Sequence, residues 1–425
     1  MCVVWAGPFG TALLGDLGAE VIKVESIYYF DSNSRNVGPT VEAMRANGGD
    51  PSPDAKPWEL SANFNSVGRN KKSVTIDLTK PEGKEAFYRL ISKSDVYMEN
   101  NSPDVVKRLG LTYDVLSKAN PSLIMLSMPA FGATGPYAHF RAFGANMEAV
   151  VGHTLLRGYT DTDATNTTGV FLADACGGAA SAFGVMSALL YRRRTGKGQF
   201  IDMSQAENVT HTLSQAFMDY SMNRRVQTTL GNRDPSRAPQ GVYRCAGDDS
   251  WLALSCGTDA EFRALCDVIE RPELASDPRF VDSLSRYAHQ DDLDREISGW
   301  TADKDHYDAF HRLQAAGVPA SPVLTTAEVA VDPHLQERQI WQRFSHPKAG
   351  THDYLKPPMS HMSRTPLSIR KHASTLGEDN EYVYKQVMGY TDEEYQGFVE
   401  LGHIGTEYVT PGSSQTPRRG TPVNR

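Results

Sequence analysis

Cysteine is scarce in this chain, with five among 425 residues. The number is odd, the positions are scattered, and no two of them form a CxxC pair. Neither a disulfide scaffold nor a structural zinc site is therefore expected. Reduced thiols are the simplest interpretation, and they predict a cytoplasmic protein. The cysteines are Cys2, Cys176, Cys245, Cys256 and Cys266.

Long apolar runs and an excess of positive charge are also missing. No apolar run reaches the roughly 18 residues that span a bilayer, and no basic start followed by an apolar stretch marks a signal peptide. The formal net charge is −8, so the chain lacks the basic character of nucleic-acid-binding domains. The twelve histidines show no HxxxH or HExxH spacing. We expect no membrane, no nucleic-acid partner and no metal.

What the chain has is an alternation of short apolar runs and amphipathic stretches. Residues 1–6 predict a buried strand, Gly7–Gly10 a turn, and Thr11–Leu17 a short helix. A second strand follows over Glu20–Glu25. This order is typical of the start of a parallel α/β sheet. Since the chain opens inside a strand, we expect the natural first strand to begin further upstream.

The same alternation continues to about residue 204 and predicts a doubly wound sheet. Thr79 and Glu82 form a capping box before one of its helices, whose periodicity predicts that Phe87, Leu90 and Ile91 are buried. From about Gly231 the pattern changes to a predicted hairpin of 241–245 with 251–255. Polar helices are predicted after it, at 259–270, 289–299 and 304–316. We therefore predict a large α/β domain over 1–224 and a smaller α+β domain over 225–325. The chain then returns to the large domain over 326–409 and ends in a disordered tail, 410–425.

Asp174 is the strongest candidate for a catalytic carboxylate in this sequence. It lies where an extended stretch, 169–173, enters a long helix, and Gly177 and Gly178 follow one turn later. Glycine inside a helix costs roughly 1 kcal/mol relative to alanine, which is tolerable where a ligand or another backbone approaches closely. An ionised carboxylate at a helix N-terminus can act as a nucleophile. An ordinary N-cap aspartate is the alternative.

Other motifs are weaker. Glu25 stands where a dinucleotide-binding protein places its ribose-binding acid, but GxxG replaces GxGxxG and Pro8 lacks an N–H, so NAD binding is not expected. The basic run Arg192–Gly198 is typical of a helix C-terminus with a glycine stop, and a phosphate site is the alternative. The segment Arg69–Lys72 fits a solvated turn as well as a phosphate or adenine contact.

Taken together, the motifs resemble the class III CoA-transferases, the CaiB/BaiF or formyl-CoA transferase family. The likeness runs from residue 1 to about residue 400, and the order and spacing of its pieces are specific. The matching stretches are Ala6–Gly10, Leu14–Glu25, Asn70–Ser73, Asp77 with Leu78, Glu99 with Asn100, Arg108–Gly110, Phe143–Asn146, Asp174 with its small-residue helix, Arg192, and Thr195–Gln199.

The resemblance implies a Rossmann-like α/β large domain built from both chain ends, a smaller α+β domain, and two chains interlocked as linked rings in a homodimer. It implies that Asp174 is the nucleophile, which forms an aspartyl anhydride and then an aspartyl-CoA thioester while CoA passes from a donor acyl-CoA to an acceptor carboxylic acid. CoA is then a substrate, with no permanently bound cofactor. The residues implied to line its path are Trp5, Ala6, Asn70, Lys71, Lys72, Asn100 and Arg108.

Departures from the family pattern leave alternatives open. Ser26 stands where formyl-CoA transferases have an arginine, Trp5 where they have a glutamine, and their glycine-rich loop has no counterpart near 231–239, so oxalate and formyl-CoA are disfavoured. The fold also hosts α-methylacyl-CoA racemases, whose histidine would fall near 143–145, where there is none. Glu148 either approaches the thioester or is a surface acid. A truncated, inactive paralogue acting as a partner subunit is the third possibility.

Overall fold

The computed structural model describes residues 1–31, 35, 38–166 and 172–409. These residues group into two compact units. The first takes its described residues from Met1–His153, Gly169–Met222 and Ile340–Arg425, and the second takes them from Thr154–Thr168 and Asn223–Gln339. The predicted tail, 410–425, and most of the predicted extended piece, 169–173, lie outside the described residues.

In the described part of the chain, single strands alternate with groups of one to three helices up to residue 223, and two pairs of strands follow each other directly after that point. The strands are β1 Val21–Glu25, β2 Lys71–Thr75, β3 Val96–Glu99, β4 Ile124–Ser127, β5 Gln199–Asp202, β6 Gln240–Arg244, β7 Trp251–Ser255, β8 Ala320–Val323, β9 Trp341–His346 and β10 Gly350–Leu355. The helices are α1 Ala6–Asp16, α2 Val41–Ala46, α3 Ala62–Gly68, α4 Pro81–Ser92, α5 Pro103–Leu109, α6 Tyr113–Ala119, α7 Gly144–Val150, α8 His153–Leu156, α9 Leu172–Thr195, α10 Gln205–Thr210, α11 Ser214–Asn223, α12 Asp259–Val268, α13 Ser283–Ala288, α14 Gln290–Thr301, α15 His306–Ala315, α16 Thr326–Val331, α17 Pro333–Glu337 and α18 Asp392–Glu400. Single turns of 3-10 helix and one π-helical segment complete them: Pro57–Glu59, Ala164–Asn166, His211–Leu213, Pro272–Ser276, Pro278–Phe280 and Tyr382–Val387.

Parallel strands form the centre of the first unit. β1 pairs with β2 in parallel, and β3, β4 and β5 form a separate three-stranded parallel sheet in that order. Mixed α/β structure with parallel sheets is therefore confirmed, but the predicted single doubly wound sheet is present as two pieces. β3 and β4 are almost wholly buried, which explains why their sequences are continuous apolar runs.

The strand predicted over residues 1–6 is wrong. The N–H of Val3 is taken by the side-chain oxygen of Asn100, at 2.8 Å, instead of by a strand backbone. Val4 has a φ of 65°, which breaks any extended ladder. Ala6 already begins α1, so the predicted Gly7–Gly10 turn lies inside this helix. Pro8 is tolerated there because a first-turn N–H has no intrahelical partner.

The predicted capping box is also wrong. The N-cap of α4 is Lys80, whose side chain makes no capping hydrogen bond, and Pro81 opens the helix. The Thr79 hydroxyl donates to the Asp77 carboxylate at 2.7 Å instead. Proline fixes the helical φ at its own position and so moves the start two residues beyond Thr79. The apolar face of α4 packs into the core as the periodicity predicts, through Phe87, Leu90 and Ile91.

The second unit has a core of its own. β6, β7 and β8 form an antiparallel sheet, and the predicted hairpin of 241–245 with 251–255 is confirmed by the pairing of Tyr243 with Leu252. The apolar faces of α12, α14 and α15 cover this sheet. The predicted helices 259–270, 289–299 and 304–316 agree with these three within a few residues.

The long helix α9 is apolar for most of its length. By length and composition it could cross a membrane, and 44% of its most apolar window is buried inside the protein. Core helices of globular proteins pass the same test, and α9 packs along α1 and α10. The long helix predicted after residue 173 is therefore confirmed. Its sequence shows no unbroken apolar run, because Asp174 and several glycines and serines interrupt it.

Candidate active site

Asp174 lies in the first turn of α9 with a largely buried side chain. Its Oδ1 accepts a hydrogen bond from the backbone N–H of Ala6, the first residue of α1, at 3.3 Å. Within the described residues no hydrogen-bond donor reaches Oδ2. One carboxylate oxygen is thus held by a backbone group, and the other has no donor within the described residues.

Two glycines explain how the helices come close enough for this contact. A Cβ added to Gly178 would lie 2.9 Å from the carbonyl oxygen of Ala6 and 3.1 Å from the N of Gly10. A Cβ on Gly10 would lie 2.8 Å from the carbonyl oxygen of Gly178. The glycines after Asp174 predicted that a ligand or another backbone lies close to this helix. The structure shows that the backbone of α1 does so, and this packing places the start of α1 against Asp174.

Burial raises the pKa of the Asp174 carboxyl above its ordinary value. The hydrogen bond from Ala6 lowers this pKa, and the negative charge of Glu148 raises it. Because a carboxylate of higher pKa is the stronger base and nucleophile, the surroundings of Asp174 increase its reactivity once it is ionised.

Glu148 supports the start of the same helix. Its side chain is 1% exposed, so the surface alternative considered for this residue is wrong. Oε1 accepts hydrogen bonds from the N–H groups of Leu172, at 2.8 Å, and Ala173, at 3.3 Å. Oε2 lies 3.1 Å from Nδ1 of His153. Sequence reasoning missed this role because the bonded residues are 24 and 25 positions apart, with no local signature.

Trp5, Ala6 and Asn100 surround the same end of α1. Trp5 is the N-cap residue of α1, and its ring stacks on Phe9 with the centroids 5.7 Å apart. The Asn100 amide exchanges hydrogen bonds with the N–H and carbonyl of Val3, both at 2.8 Å. Asn100 therefore fixes the loop that presents the Ala6 N–H to Asp174. The structure brings these three predicted residues together with the proposed nucleophile.

Lys71 lies beside α1 and is buried. Its Nζ donates to the carbonyl of Pro8 at 2.7 Å and to the Thr11 hydroxyl at 2.9 Å. Burial, together with the nearby charge of Lys23, lowers the pKa of the Lys71 ammonium to about 7. Its neighbour Asn70 is buried as well, with its amide bonded to Asp16 and to the backbone near residue 370.

Lys72 and Arg108 are the accessible cations of the predicted set. The Lys72 Nζ lies 3.8 Å from the ring centroid of Tyr382 and 3.7 Å from a carboxylate oxygen of Glu20. Arg108 is exposed in the last turn of α5, the helix that follows Asn100. By contrast, Arg192 of the basic run is tied to Asp95, with Nη2 2.6 Å from the carboxylate, which agrees with a helix ending.

The two histidines that flank the racemase window have other partners. Nδ1 of His139 lies 2.9 Å from the Asp104 carboxylate, and that of His153 lies near Glu148. Within the described residues neither imidazole contacts Asp174. In the same residues no group of three histidine, cysteine, aspartate or glutamate side chains is arranged to hold a metal ion.

Comparison with known proteins identifies relatives over most of the chain. A family model described as CoA-transferase family III matches residues 1–380. An acetyl-CoA:oxalate CoA-transferase of Acetobacter aceti is 38% identical over 335 residues, which are 79% of this chain and 81% of the relative. The beta subunit of a succinyl-CoA–L-malate CoA-transferase of Chloroflexus aurantiacus is 34% identical over 392 residues, 92% of this chain and 93% of the relative. A crystal structure of a CaiB/BaiF family protein from Brucella suis superimposes with a TM-score of 0.79 at 30% identity, covering 91% and 97% of the two chains.

Proposed function

The chain belongs to CoA-transferase family III, and on that premise we propose that it moves CoA from a donor acyl-CoA to an acceptor carboxylic acid through covalent intermediates on Asp174. The observation that carries this proposal is the buried Asp174 carboxylate, which is held through one oxygen by Ala6, while no donor among the described residues reaches the other oxygen. A carboxylate suits this chemistry because its anhydride and thioester are both activated enough to pass CoA on.

In the first half-reaction, Oδ2 of Asp174 attacks the thioester carbonyl carbon of the donor. The C–S bond breaks, CoA leaves as a thiolate, and an acyl-aspartyl anhydride remains. The thiolate then attacks the aspartyl carbonyl carbon, which releases the donor acid as a carboxylate and leaves an aspartyl-CoA thioester. Backbone N–H groups at the start of α1 are the donors best placed to stabilise the oxyanions.

In the second half-reaction, the acceptor carboxylate attacks the aspartyl-CoA carbonyl and expels the thiolate, giving a second mixed anhydride. The thiolate attacks the acceptor's carbonyl carbon. This forms the product acyl-CoA and restores the ionised carboxylate of Asp174. No external reductant, oxidant or water is consumed, so the reaction requires only that water be kept away from two activated intermediates.

Small dicarboxylic acids are the acceptor class that the relatives favour. The name of the first relative described above gives acetyl-CoA and oxalate, and the name of the second gives succinyl-CoA and L-malate. The relative named for oxalate weighs against the prediction from Trp5 and Ser26 that oxalate is disfavoured. We therefore propose dicarboxylates, oxalate included. Racemisation is less favoured, since it needs a histidine facing the α-carbon beside Asp174.

The first test is mass spectrometry of the protein mixed with acetyl-CoA or succinyl-CoA and trapped with hydroxylamine. We expect a hydroxamate at Asp174, because both intermediates are activated aspartyl derivatives. We expect Asp174→Asn to lose the adduct and to lower the rate of CoA transfer by about 10⁴-fold or more. Asp104→Asn, an exposed aspartate on α5, should behave as wild type.

Two outcomes would contradict the proposal. One is a wild-type protein that binds CoA but forms no adduct with acetyl-CoA or succinyl-CoA, whether or not oxalate or malate is present as the acceptor. The other is an adduct that persists in Asp174→Asn. Deuterium exchange at the α-carbon of a 2-methylacyl-CoA in the absence of an adduct would instead support a racemase.

We further propose that the protein is a homodimer. Large apolar side chains on α9 and α11 are exposed in the single chain, among them Phe183 at 76% and Met222 at 72%. Phe183, Met186 and Leu190 recur at helical spacing and form one stripe on α9. Exposed apolar surface of this kind is typical of an interface with another chain.

Light scattering after size exclusion tests the dimer. We expect a mass near twice the 46.8 kDa of one chain. The double variant Phe183→Glu with Met222→Glu should be monomeric, because it introduces charge into the apolar surface. Arg193→Glu near the exposed end of α9 is the control and should stay dimeric. A wild-type protein that remains monomeric at micromolar concentration would refute the proposal.

A further inference from the structure

We propose that Glu148, supported by His153, is a positioning residue that sets the placement and the electrostatic surroundings of Asp174. This inference rests on the proposed function, since it assigns a task to a residue that does not itself touch the reacting atoms. Its basis is the geometry at the start of α9. There a fully buried carboxylate from α7 joins the helix that carries the nucleophile to a histidine from α8.

The contacts of Oε1 fix the first turn of α9. The first N–H groups of any helix lack intrahelical partners, and here Glu148 takes those of Leu172 and Ala173, the two residues before Asp174. Movement of Glu148 would therefore change the rotation and the height of the residue that must meet the thioester. A displacement of about 1 Å is enough to cost roughly a hundredfold in rate.

A charged cap at this place goes beyond what helix capping requires. A neutral serine or asparagine at the N-cap would satisfy the same N–H groups. A carboxylate adds a negative charge next to Asp174, which raises the pKa of the nucleophile, and that charge must itself be taken out of water. Glu148 thus keeps Asp174 basic without donating to it, and the Ala6 N–H is the only described hydrogen-bond partner of the Asp174 carboxylate.

His153 completes the arrangement by holding the second oxygen. Its Nδ1 lies 3.1 Å from Oε2, and its side chain is 12% exposed, so the contact lies at the edge of the buried region. This contact fixes the plane of the Glu148 carboxylate and leaves Oε1 directed at α9. Along the chain, His153 is the last residue of the first unit before the segment that begins at Thr154.

Within the described residues, the titratable groups that interact with the pair come from three helices. Glu148 belongs to α7, His153 to α8, and Asp174 and Cys176 to α9, and α1 contributes the uncharged Ala6 N–H. The pKa of the Cys176 thiol is also raised, first by burial and then by Glu148. Glu148 and Asp174 are the two carboxyl groups among them, and Glu148 raises the pKa of Asp174, so changing Glu148 acts directly on Asp174.

The test compares Glu148→Gln, Glu148→Ala and His153→Gln with wild type in steady-state kinetics, pH profiles of kcat, and hydrogen exchange of the peptide over 172–176. Glu148→Gln keeps an acceptor for the helix N–H groups but removes the charge. We expect its KM for acyl-CoA to stay within about twofold, its kcat to fall roughly tenfold, and the acidic limb of kcat to move to lower pH. We expect Glu148→Ala to lose about 100-fold and to exchange faster over 172–176. His153→Gln should give a smaller change in the same direction.

Glu394→Gln is the matched control, because Glu394 is also a capping glutamate but belongs to the exposed helix α18. It should leave kcat, the pH profile and exchange over 172–176 unchanged. A Glu148→Gln protein with the wild-type acidic limb and kcat overturns the assignment. So does a loss of activity that only follows the loss of folded protein.

A different result would refute the proposed function itself, namely a wild-type protein that forms no hydroxamate at Asp174. Hydrogen exchange still decides the positioning role in that case. Unchanged exchange over 172–176 in Glu148→Ala would then refute it.

Discussion

Asn70 uses both atoms of its side-chain amide within the protein. Nδ2 donates to the buried Asp16 carboxylate at 2.8 Å and to the carbonyl of Ser368 at 3.2 Å. Oδ1 accepts from the backbone N–H groups of Arg370 and Lys371, at 2.7 and 3.0 Å. The residue has a φ of 57°, which asparagine tolerates better than most residues. Asn70 therefore stabilises the folded protein through these contacts, in addition to any contact that it makes with CoA.

We predict that Asn70→Ala lowers the free energy of unfolding by about 2–4 kcal/mol, because it leaves Asp16 and two backbone N–H groups short of partners. Urea denaturation measures the change. Asn47→Ala, which removes one exposed hydrogen bond to Ala43, should stay within about 0.5 kcal/mol of wild type. Unchanged stability with a raised KM for acyl-CoA would instead place Asn70 in CoA binding alone.

His346 is a buried histidine that holds the turn between β9 and β10. Its Nδ1 accepts from the N–H groups of Lys348 and Ala349, at 3.0 and 2.9 Å, and its Nε2 donates to the carbonyl of Ala373 at 2.8 Å. This pattern requires the neutral imidazole. Burial, with a contribution from His372, lowers the pKa of His346 from 6.5 to about 4.

The stability of the first unit should therefore depend on pH through His346. The unfolded chain takes up a proton below pH 6.5, whereas the folded chain does so only near pH 4. The stabilisation is thus complete above pH 6.5 and is lost as the pH falls towards 4. Between pH 7.5 and pH 5 we predict that wild type loses about 2 kcal/mol more than His346→Gln in urea denaturation. An equal pH dependence for the two proteins would contradict this, and His139→Gln, an exposed histidine, should match wild type.

At the scale of elements, the contact of α1 with α9 positions the candidate nucleophile. Gly178 faces the backbone of α1, whereas Gly177 faces the side chain of Gln205, and a Cβ there would lie at an ordinary 3.4 Å from Oε1. The two adjacent glycines therefore differ in how much space surrounds them. Only at Gly178 would a methyl group meet backbone atoms, which cannot move aside as a flexible side chain can.

We predict that Gly178→Ala destabilises the protein by about 2 kcal/mol or more and lowers kcat, because α1 must move away and the Ala6 N–H with it. Gly177→Ala is the matched control. It should be neutral or stabilising by up to about 1 kcal/mol, the gain of alanine over glycine in a helix. Thermal unfolding and steady-state kinetics of both variants measure this. Equal behaviour of the two would show that helix propensity, and not close packing, decides the effect.

Elements with a local signal were predictable from the sequence, and those fixed by distant groups were not. β4 and α4 follow from an apolar run and from helical periodicity, and the hairpin β6–β7 from two alternating runs around a polar turn. The segment before α1 has an equally strand-like sequence, but the side chain of Asn100, 97 residues away, takes the N–H that a ladder would need. Asp174 was identified from its position before two glycines and from the family resemblance. Its bond to Ala6 joins residues 168 apart, and no local pattern reports it.

At the scale of the whole molecule, the second unit contains a hydrophobic core built from residues between Tyr243 and Ala320. Its buried members come from one antiparallel sheet and the helices on it, including Phe262, Phe280 and Leu313. A segment with its own core can fold alone when it buries enough apolar surface. The first unit differs, because its described residues come from three separated stretches of the chain.

We predict that residues 223–339 expressed alone fold cooperatively. The reason is that the core lies entirely inside this range, although the unit also includes residues before 169. Urea unfolding followed by circular dichroism should give a single sigmoidal transition. The variant Leu313→Ala, which removes a fully buried side chain, should lower the midpoint by an amount equivalent to about 2–5 kcal/mol. A gradual, non-cooperative change in the parent fragment would refute the prediction.

One edge of β2 stays unprotected for a long time during protein synthesis. The N–H groups of Ser73 and Thr75 on this edge are bonded at 2.8 and 2.7 Å to the side chains of Asp379 and Asn380, 306 and 305 residues later. After β2 has left the ribosome, 305 or more further residues must therefore be translated before this edge is closed. During that interval the edge is open to strands of other chains, so a stalled or prematurely terminated product lacks the residues that would protect it.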